Sequence, residues 1–423
     1  MSKIKKIVVA IVLLLLVTVL LLQIDDELTP DAVAMLESVK WQDSNDAYLY
    51  LLGIGAKLGE EPPEEGALVL AQIRKNEVNY RSSKPYAEWP EYDERPTIEL
   101  PEHDSFCSTK DENCITTLFI ESDIDLNQPL MTEVKSRYQT FLSLEGFTTM
   151  TEPHLFEPFV DFTFLVKANR LMSLSAINKA EKCCPEGAMN ELYELVELQK
   201  KHATEADTLI GQMVAYALLN ETIDVLSLLI EKYRLAGRPI TLLGQRELSL
   251  ERVINREFAF IFSGINSLEL HQGIKLSPQW VRKALYKKNI SANALVPAYK
   301  EVKRLSLLSQ QDFAREASDE GAAKVSVMSW IRNPWGSYLH VFIGKPSLID
   351  YVGRGFDVNS KITLFNGLLG KSLNSDVMGG ILNPYYPDQY DATYNQNTKR
   401  VCFGGPLEMS GFMRCIITFK QLN

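Results

Sequence analysis

A chain of 423 residues with a formal net charge of −10 is long enough for two or three ordinary domains and a large core. The acid excess excludes nucleic acid as an expected partner, because neutralising phosphates needs a clustered basic surface. An even count of six cysteines reads as disulfides if the body of the chain lies in an oxidising compartment.

The first predicted element carries that condition. From Ile7 to Ile24 there is no charge, and only Thr18 and Gln23 are polar. As a helix this stretch rises roughly 27 Å, close to the hydrocarbon thickness of a bilayer. Leu21, Leu22, Gln23 and Ile24 offer no small residues for a signal peptidase, so the segment is read as a retained anchor. Lys3, Lys5 and Lys6 precede it and Asp25, Asp26 and Glu27 follow. By the positive-inside rule the tip is cytoplasmic and the remainder faces the periplasm, with a single pass through the inner membrane.

Residues 25–127 form the second region. TPDAVAMLESVKW has Thr29 as N-cap and Pro30 at the first helical position. SNDAYLYLLGIGAKLG and PPEEGALVLAQIRK supply two more short helices. From Asn79 to Asn113 four prolines interrupt any helical period, which predicts an extended connection. Between Glu60 and Asp104 twelve Asp or Glu face five Lys or Arg. Such an acidic stretch beside an anionic membrane favours a body that stands off the bilayer.

Residues 128–330 read as a helical domain, with apolar residues at the 3.6-residue period almost throughout. ADTLIGQMVAYALLNETIDVLSLLIEKYRLAGRPI is a core helix ended by Gly237 and Pro239. KCCPEG is the turn of an αα-hairpin. Residues 331–423 begin with further helices, Asn333 capping the one that starts at Pro334, and end in RVCF and MRCIITF as a small antiparallel pair. The fold class is therefore mainly α: an N-terminal transmembrane helix at 1–24, an irregular helical body, and a disulfide-linked β element at the C-terminus.

Cys107 and Cys114 flank a polar turn, and Cys402 and Cys415 flank a short loop, so each pair is expected to bridge locally. For Cys183 and Cys184 three outcomes stand open: a vicinal bond, bridges to other cysteines, or reduced thiols. C-x-x-C spacing does not occur, which argues against a redox or zinc role.

Three stretches, Asn45 to Ile54, Asn333 to Gly336 and the N-P-Y at Asn383, resemble marks of an uncharacterised group of single-pass, mostly helical bacterial envelope proteins. The resemblance implies architecture and compartment and carries no activity.

Motifs with chemical meaning are sparse. Gly53 to Gly59 reads G-x-G-x-x-x-G rather than a dinucleotide fingerprint, and close packing at a helix end accounts for its glycines. His154 lies between Glu152 and Glu157 in a proline-bounded loop, where a general base or metal ligand would fit. His103 sits among acids next to Cys107, and His340, with Ser337, Trp330, Trp335 and Tyr338, would line an aromatic pocket. A surface-loop position ahead of Pro158 explains His154 better, the acidic linker explains His103 without a metal, and ordinary helix packing explains the His340 cluster, so no catalytic, cofactor-binding or metal residue is assigned and no cofactor is expected. Asn220 and Asn289 begin glycosylation sequons. The expected function is a membrane-anchored, periplasm-facing helical scaffold or protein-interaction protein of the cell envelope, partnered by the membrane and an envelope protein. An envelope hydrolase with its site near His154, or a binder of a small apolar ligand between helices, is the alternative.

Overall fold

The computed structural model describes residues 3–82, 97–100, 106, 114–121, 125–154, 157, 160–270, 281, 285–317, 326–343, 347–371, 377–378, 380–388, 392–407 and 411–419. Its helices are α1 (Lys3–Leu22), α2 (Pro30–Ser38), α3 (Asp46–Leu52), α4 (Pro62–Ser82), α5 (Cys114–Glu121), α6 (Pro129–Ser143), α7 (Phe162–Lys182), α8 (Pro185–Glu205) and α9 (Leu209–Tyr233). They continue with α10 (Gln245–Leu248), α11 (Glu251–Leu270), α12 (Lys288–Ser306), α13 (Gln310–Ala317), α14 (Val327–Arg332), α15 (Pro334–Ile343) and α16 (Ser347–Leu368). Three short strands follow: β1 (Thr393–Asn395), β2 (Arg400–Cys402) and β3 (Cys415–Ile417). The chain is mainly helical with a small C-terminal sheet.

Local chemistry sets the boundaries. Thr29 caps α2 by accepting from the Ala32 amide, with Pro30 in the first turn, as its sequence predicts. Asn333 caps α15 through Gly336 N. α4 runs to Ser82, into the stretch expected to be extended, because no proline follows the opening Pro62–Pro63 pair until Pro85. α9 ends with Arg234 in the left-handed conformation at φ 51°, three residues before the glycine expected to stop it. The KCCPEG turn joins α7 to α8 as an αα-hairpin.

The core is organised around α9, which packs against α7, α8, α11, α16 and β3. Leu218, Leu219, Ile223, Val225, Leu226, Leu228 and Leu229 are completely buried. The helix buries apolar residues around its whole circumference, with Gln212, Asn220, Glu221 and Asp224 buried among them. Among the helices whose every residue is described, α9 has the length and composition of a membrane span, but 78% of that stretch is buried inside the body. The apolar side chains of α1 contrast with it: Ile4, Ile7, Val8, Leu13 and Leu14 are 52–72% exposed.

The sheet is antiparallel in the order β1, β2, β3. Cys402 lies opposite Cys415, and the two are bonded at 2.05 Å. β1 adds a strand to the expected pair, through a four-residue turn in which Lys399 takes φ 52°. Asp224 of α9 accepts the Ile417 amide at 3.2 Å and the ammonium of Lys361 at 2.6 Å, so one buried carboxylate ties α9, α16 and β3 together. Cys183 and Cys184 resolve to the vicinal arrangement, with Cα atoms 3.7 Å apart. Cys114 is disulfide-bonded, and Cys107 lies outside the described residues.

Candidate functional site

The glycine-rich turn after α3 is the first feature to test. Gly53 caps α3, and a Cβ on Gly53 or Gly66 would meet backbone oxygen at 1.9 Å, so these glycines let α3 and α4 touch. Arg137 of α6 fills the turn. Its buried guanidinium donates to the carbonyls of Ile54, Ala56, Lys57 and Glu60, and its Nε donates to Glu133 at 2.7 Å. A phosphate cradle directs N–H groups inward. This turn directs carbonyls inward around an internal cation, so the nucleotide reading ends here.

A different site forms where α3, α8, α9 and α11 meet the segment from Phe147 to Thr151. A cavity of about 130 Å³ opens there, walled largely by Leu51, Phe147, Val160, Phe162, Leu209 and Phe260, with Glu157, His202, Arg256 and Glu257 among its polar lining. Three polar anchors hold the wall in place. Asp207, in the α8–α9 connection, accepts both the amide and the hydroxyl of Thr149 at 2.7 Å. Arg256 donates to the Thr151 carbonyl at 3.2 Å. Arg256 also pairs with Glu157, which in turn accepts the Thr151 hydroxyl.

Burial sets the electrostatics. Desolvation raises the Glu157 pKa, and the Arg256 charge opposes that shift. Glu257 is also raised by burial. His202 is pushed down to about 4 by desolvation, so its imidazole is neutral at pH 7. It packs edge-on against Phe141 and Phe147, with centroids 4.9 and 6.2 Å away. Two polar atoms are left over: His202 Nε2 and Arg256 Nη1 are buried without a hydrogen-bond partner among the described residues. A second, polar cleft of about 590 Å³ adjoins the first and shares Ala206 and Arg256 with it. Its lining includes Lys40, Arg246, Arg252 and Arg256 against Asp207 and Glu251, a net positive mouth.

The histidines singled out in the sequence fall in separate places. His154 is buried but absent from the cavity wall, whereas Glu157, three residues on, lines it. His103 lies outside the described residues. His340 and Ser337 are buried, while Trp330, Trp335 and Tyr338 are exposed, so the expected aromatic pocket does not form. Asn220 is buried in α9, where no sugar fits. Among the described residues no group of three His, Cys, Asp or Glu has metal-holding geometry. The sequence reading missed His202, Arg256 and Asp207. The first two carry a signal: Leu195, Val196, Gln199, His202 and Ala203 on α8, and Val253, Arg256, Glu257 and Phe260 on α11, occupy core spacing with a polar group among apolar ones.

No family model, curated protein or solved structure matches this chain. The three stretches resembling envelope proteins have structural work of their own. Asn45 caps α3 and donates to Gly146 O, Asn333 bridges Lys287 and Ser291, and Asn383 bridges Tyr385 and Gly404.

Proposed function

We propose that this chain is a membrane-anchored, exported helical protein that binds a small, largely apolar ligand carrying a hydrogen-bond acceptor. α1 is the anchor: its twenty residues rise about 30 Å, and Ile4, Ile7, Val8, Ile11, Val12 and Leu13 are 48–72% exposed. The body then lies on the periplasmic side of a single-pass inner-membrane protein, which agrees with its bonded cysteines.

Arg256 carries the ligand reading. A buried guanidinium with one free nitrogen, at the edge of an apolar cavity, is costly unless something completes it. The cavity volume is close to the roughly 150 Å³ at which an apolar protein cavity admits a benzene-sized guest. A ligand of about one ring, with a carbonyl or carboxylate directed at Arg256 Nη1, fits both demands. The positive mouth of the neighbouring cleft favours its approach. The hydrolase expectation has less support, because Glu157 is engaged by Arg256 and Thr151, and His202 is held among aromatic rings. The scaffold expectation gains no specific contact from the cavity.

The test is binding of fluorinated benzoate and benzamide to the detergent-solubilised full chain, followed by fluorine NMR. Line broadening is expected with at least one probe, lost in Ile210→Trp, which fills the cavity mouth from a half-exposed position. Leu242→Trp, exposed and away from the cavity, is expected to bind normally. Binding that persists in Ile210→Trp, or fails in the unmodified chain with both probes, overturns the reading.

A further inference from the structure

The segment just after α1 is pinned to the body by a cluster of polar contacts. Asp25 accepts the amides of Asn289 and Ile290 at 3.0 and 3.2 Å. Lys287 Nζ donates to Gln23 Oε1 at 3.2 Å, and Asn293 Nδ2 donates to Glu27 O at 2.8 Å. Arg332, the last residue of α14, donates to Ile24 O at 2.9 Å and to Asp26 Oδ1 at 2.6 Å. The end of α1 and the α14–α15 pair are therefore at one level of the molecule.

At that level the surface changes character. Val327, Met328, Trp330 and Ile331 of α14, with Trp335 and Tyr338 of α15, are 43–77% exposed. Residues 326–343 contain no Asp or Glu, although the whole chain carries −10, and Arg332 is their one formal charge. Tryptophan, tyrosine and aliphatic side chains beside a cation match the headgroup boundary of a bilayer, where rings bury their bodies and keep a polar edge wet.

We propose that α14 and α15 lie in the interface of the same bilayer that α1 crosses, inserting Trp330 and Trp335 at headgroup depth, so that the body rests on the membrane. This rests on the reading of α1 as an anchor and replaces the expected stand-off posture. The occupant of the exposed face is lipid. Its continuity with the exit of α1 from the bilayer decides this, because contacts from Arg332 leave no room for a stalk between them.

The test uses the full chain in nanodiscs containing anionic lipid, with bromine-labelled acyl chains as quenchers of tryptophan. Strong quenching is expected in the unmodified chain, with more than half of it lost in Trp330→Phe/Trp335→Phe, because the other tryptophans lie elsewhere in sequence. Aqueous iodide is the complementary probe. Quenching by bromolipid that is unchanged in the double variant overturns the proposal. So does protection from both quenchers, which means that a second copy or another protein covers the face. Alkaline extraction separates the two readings. A chain that washes off the membrane defeats the anchor itself, whereas a retained chain without bromolipid quenching defeats only the interfacial docking.

Discussion

Lys361 and Arg256 are both buried cations paired with a buried carboxylate, yet their surroundings differ in one respect. Lys361 is wholly enclosed, with its ammonium on Asp224 and the Asn220 carbonyl, while Asp224 also takes the Ile417 amide. Arg256 is paired with Glu157 but keeps Nη1 unsatisfied, and a cavity lies against it. Buried charge is thus common to both regions, and the combination of an unfilled volume with an unmet hydrogen bond belongs to one. The first pattern ties three elements together; the second leaves a buried donor beside an unfilled volume.

The largest expected effect breaks the first region. Asp224→Ala leaves the Lys361 charge buried without its partner, with an expected loss of about 3–5 kcal/mol in urea unfolding. Glu157→Ala removes the matching countercharge of Arg256 at a less enclosed site beside a cavity, and its expected cost is about 1–3 kcal/mol. Equal costs for the two would erase the distinction drawn here.

The next effect is pH-dependent and belongs to the cavity. His202 has its folded pKa lowered from 6.5 to about 4, so folding favours the neutral ring. Its contribution is complete above pH 6.5 and is lost as pH falls through 4, because the unfolded chain takes up the proton first. The difference corresponds to about 3 kcal/mol. His202→Phe should flatten this acid limb between pH 6.5 and 4 while unfolding at pH 7 changes little, measured by urea titration at several pH values. An acid limb of unchanged slope in the variant would assign it to other groups.

The smallest effect sharpens the boundary between the regions. Asn45→Ala removes the cap of α3 and the bond to Gly146 O, for an expected 1–2 kcal/mol. Because Tyr48 and Leu51 of α3 wall the cavity, amide exchange should rise around Thr149 and stay unchanged in β2 and β3. Faster exchange throughout the chain would mean that the two regions open as one unit.

The helices were legible in the amino-acid sequence because apolar spacing, Thr29, Asn333 and several prolines each act locally. The β2–β3 pair was legible for the same reason, with Cys402 and Cys415 close in sequence and each inside an apolar run. The cavity was not. Glu157, His202, Asp207 and Arg256 come from separate segments, and on α8 and α11 a polar residue at core spacing reads as an interruption of the period. β1 was hidden by its polar residues, since TYN alternates with nothing and owes its pairing to Arg400 and Val401 across the turn. The exposed tryptophans were misplaced because composition says that rings bury themselves, and only the three-dimensional neighbourhood of Arg332 puts them at an outer surface.

The latch between Asp26 and Arg332 spans 306 positions of chain. At ordinary translation speeds of 5–20 residues per second, the carboxylate waits roughly 15 to 60 s for its guanidinium. Throughout that interval Asp26 is without its guanidinium, and Asp25 waits some 264 positions for the amides of Asn289 and Ile290. Seating of the body on α1 is therefore a late event in biogenesis, and chains truncated before Lys287 should retain a swivelling base.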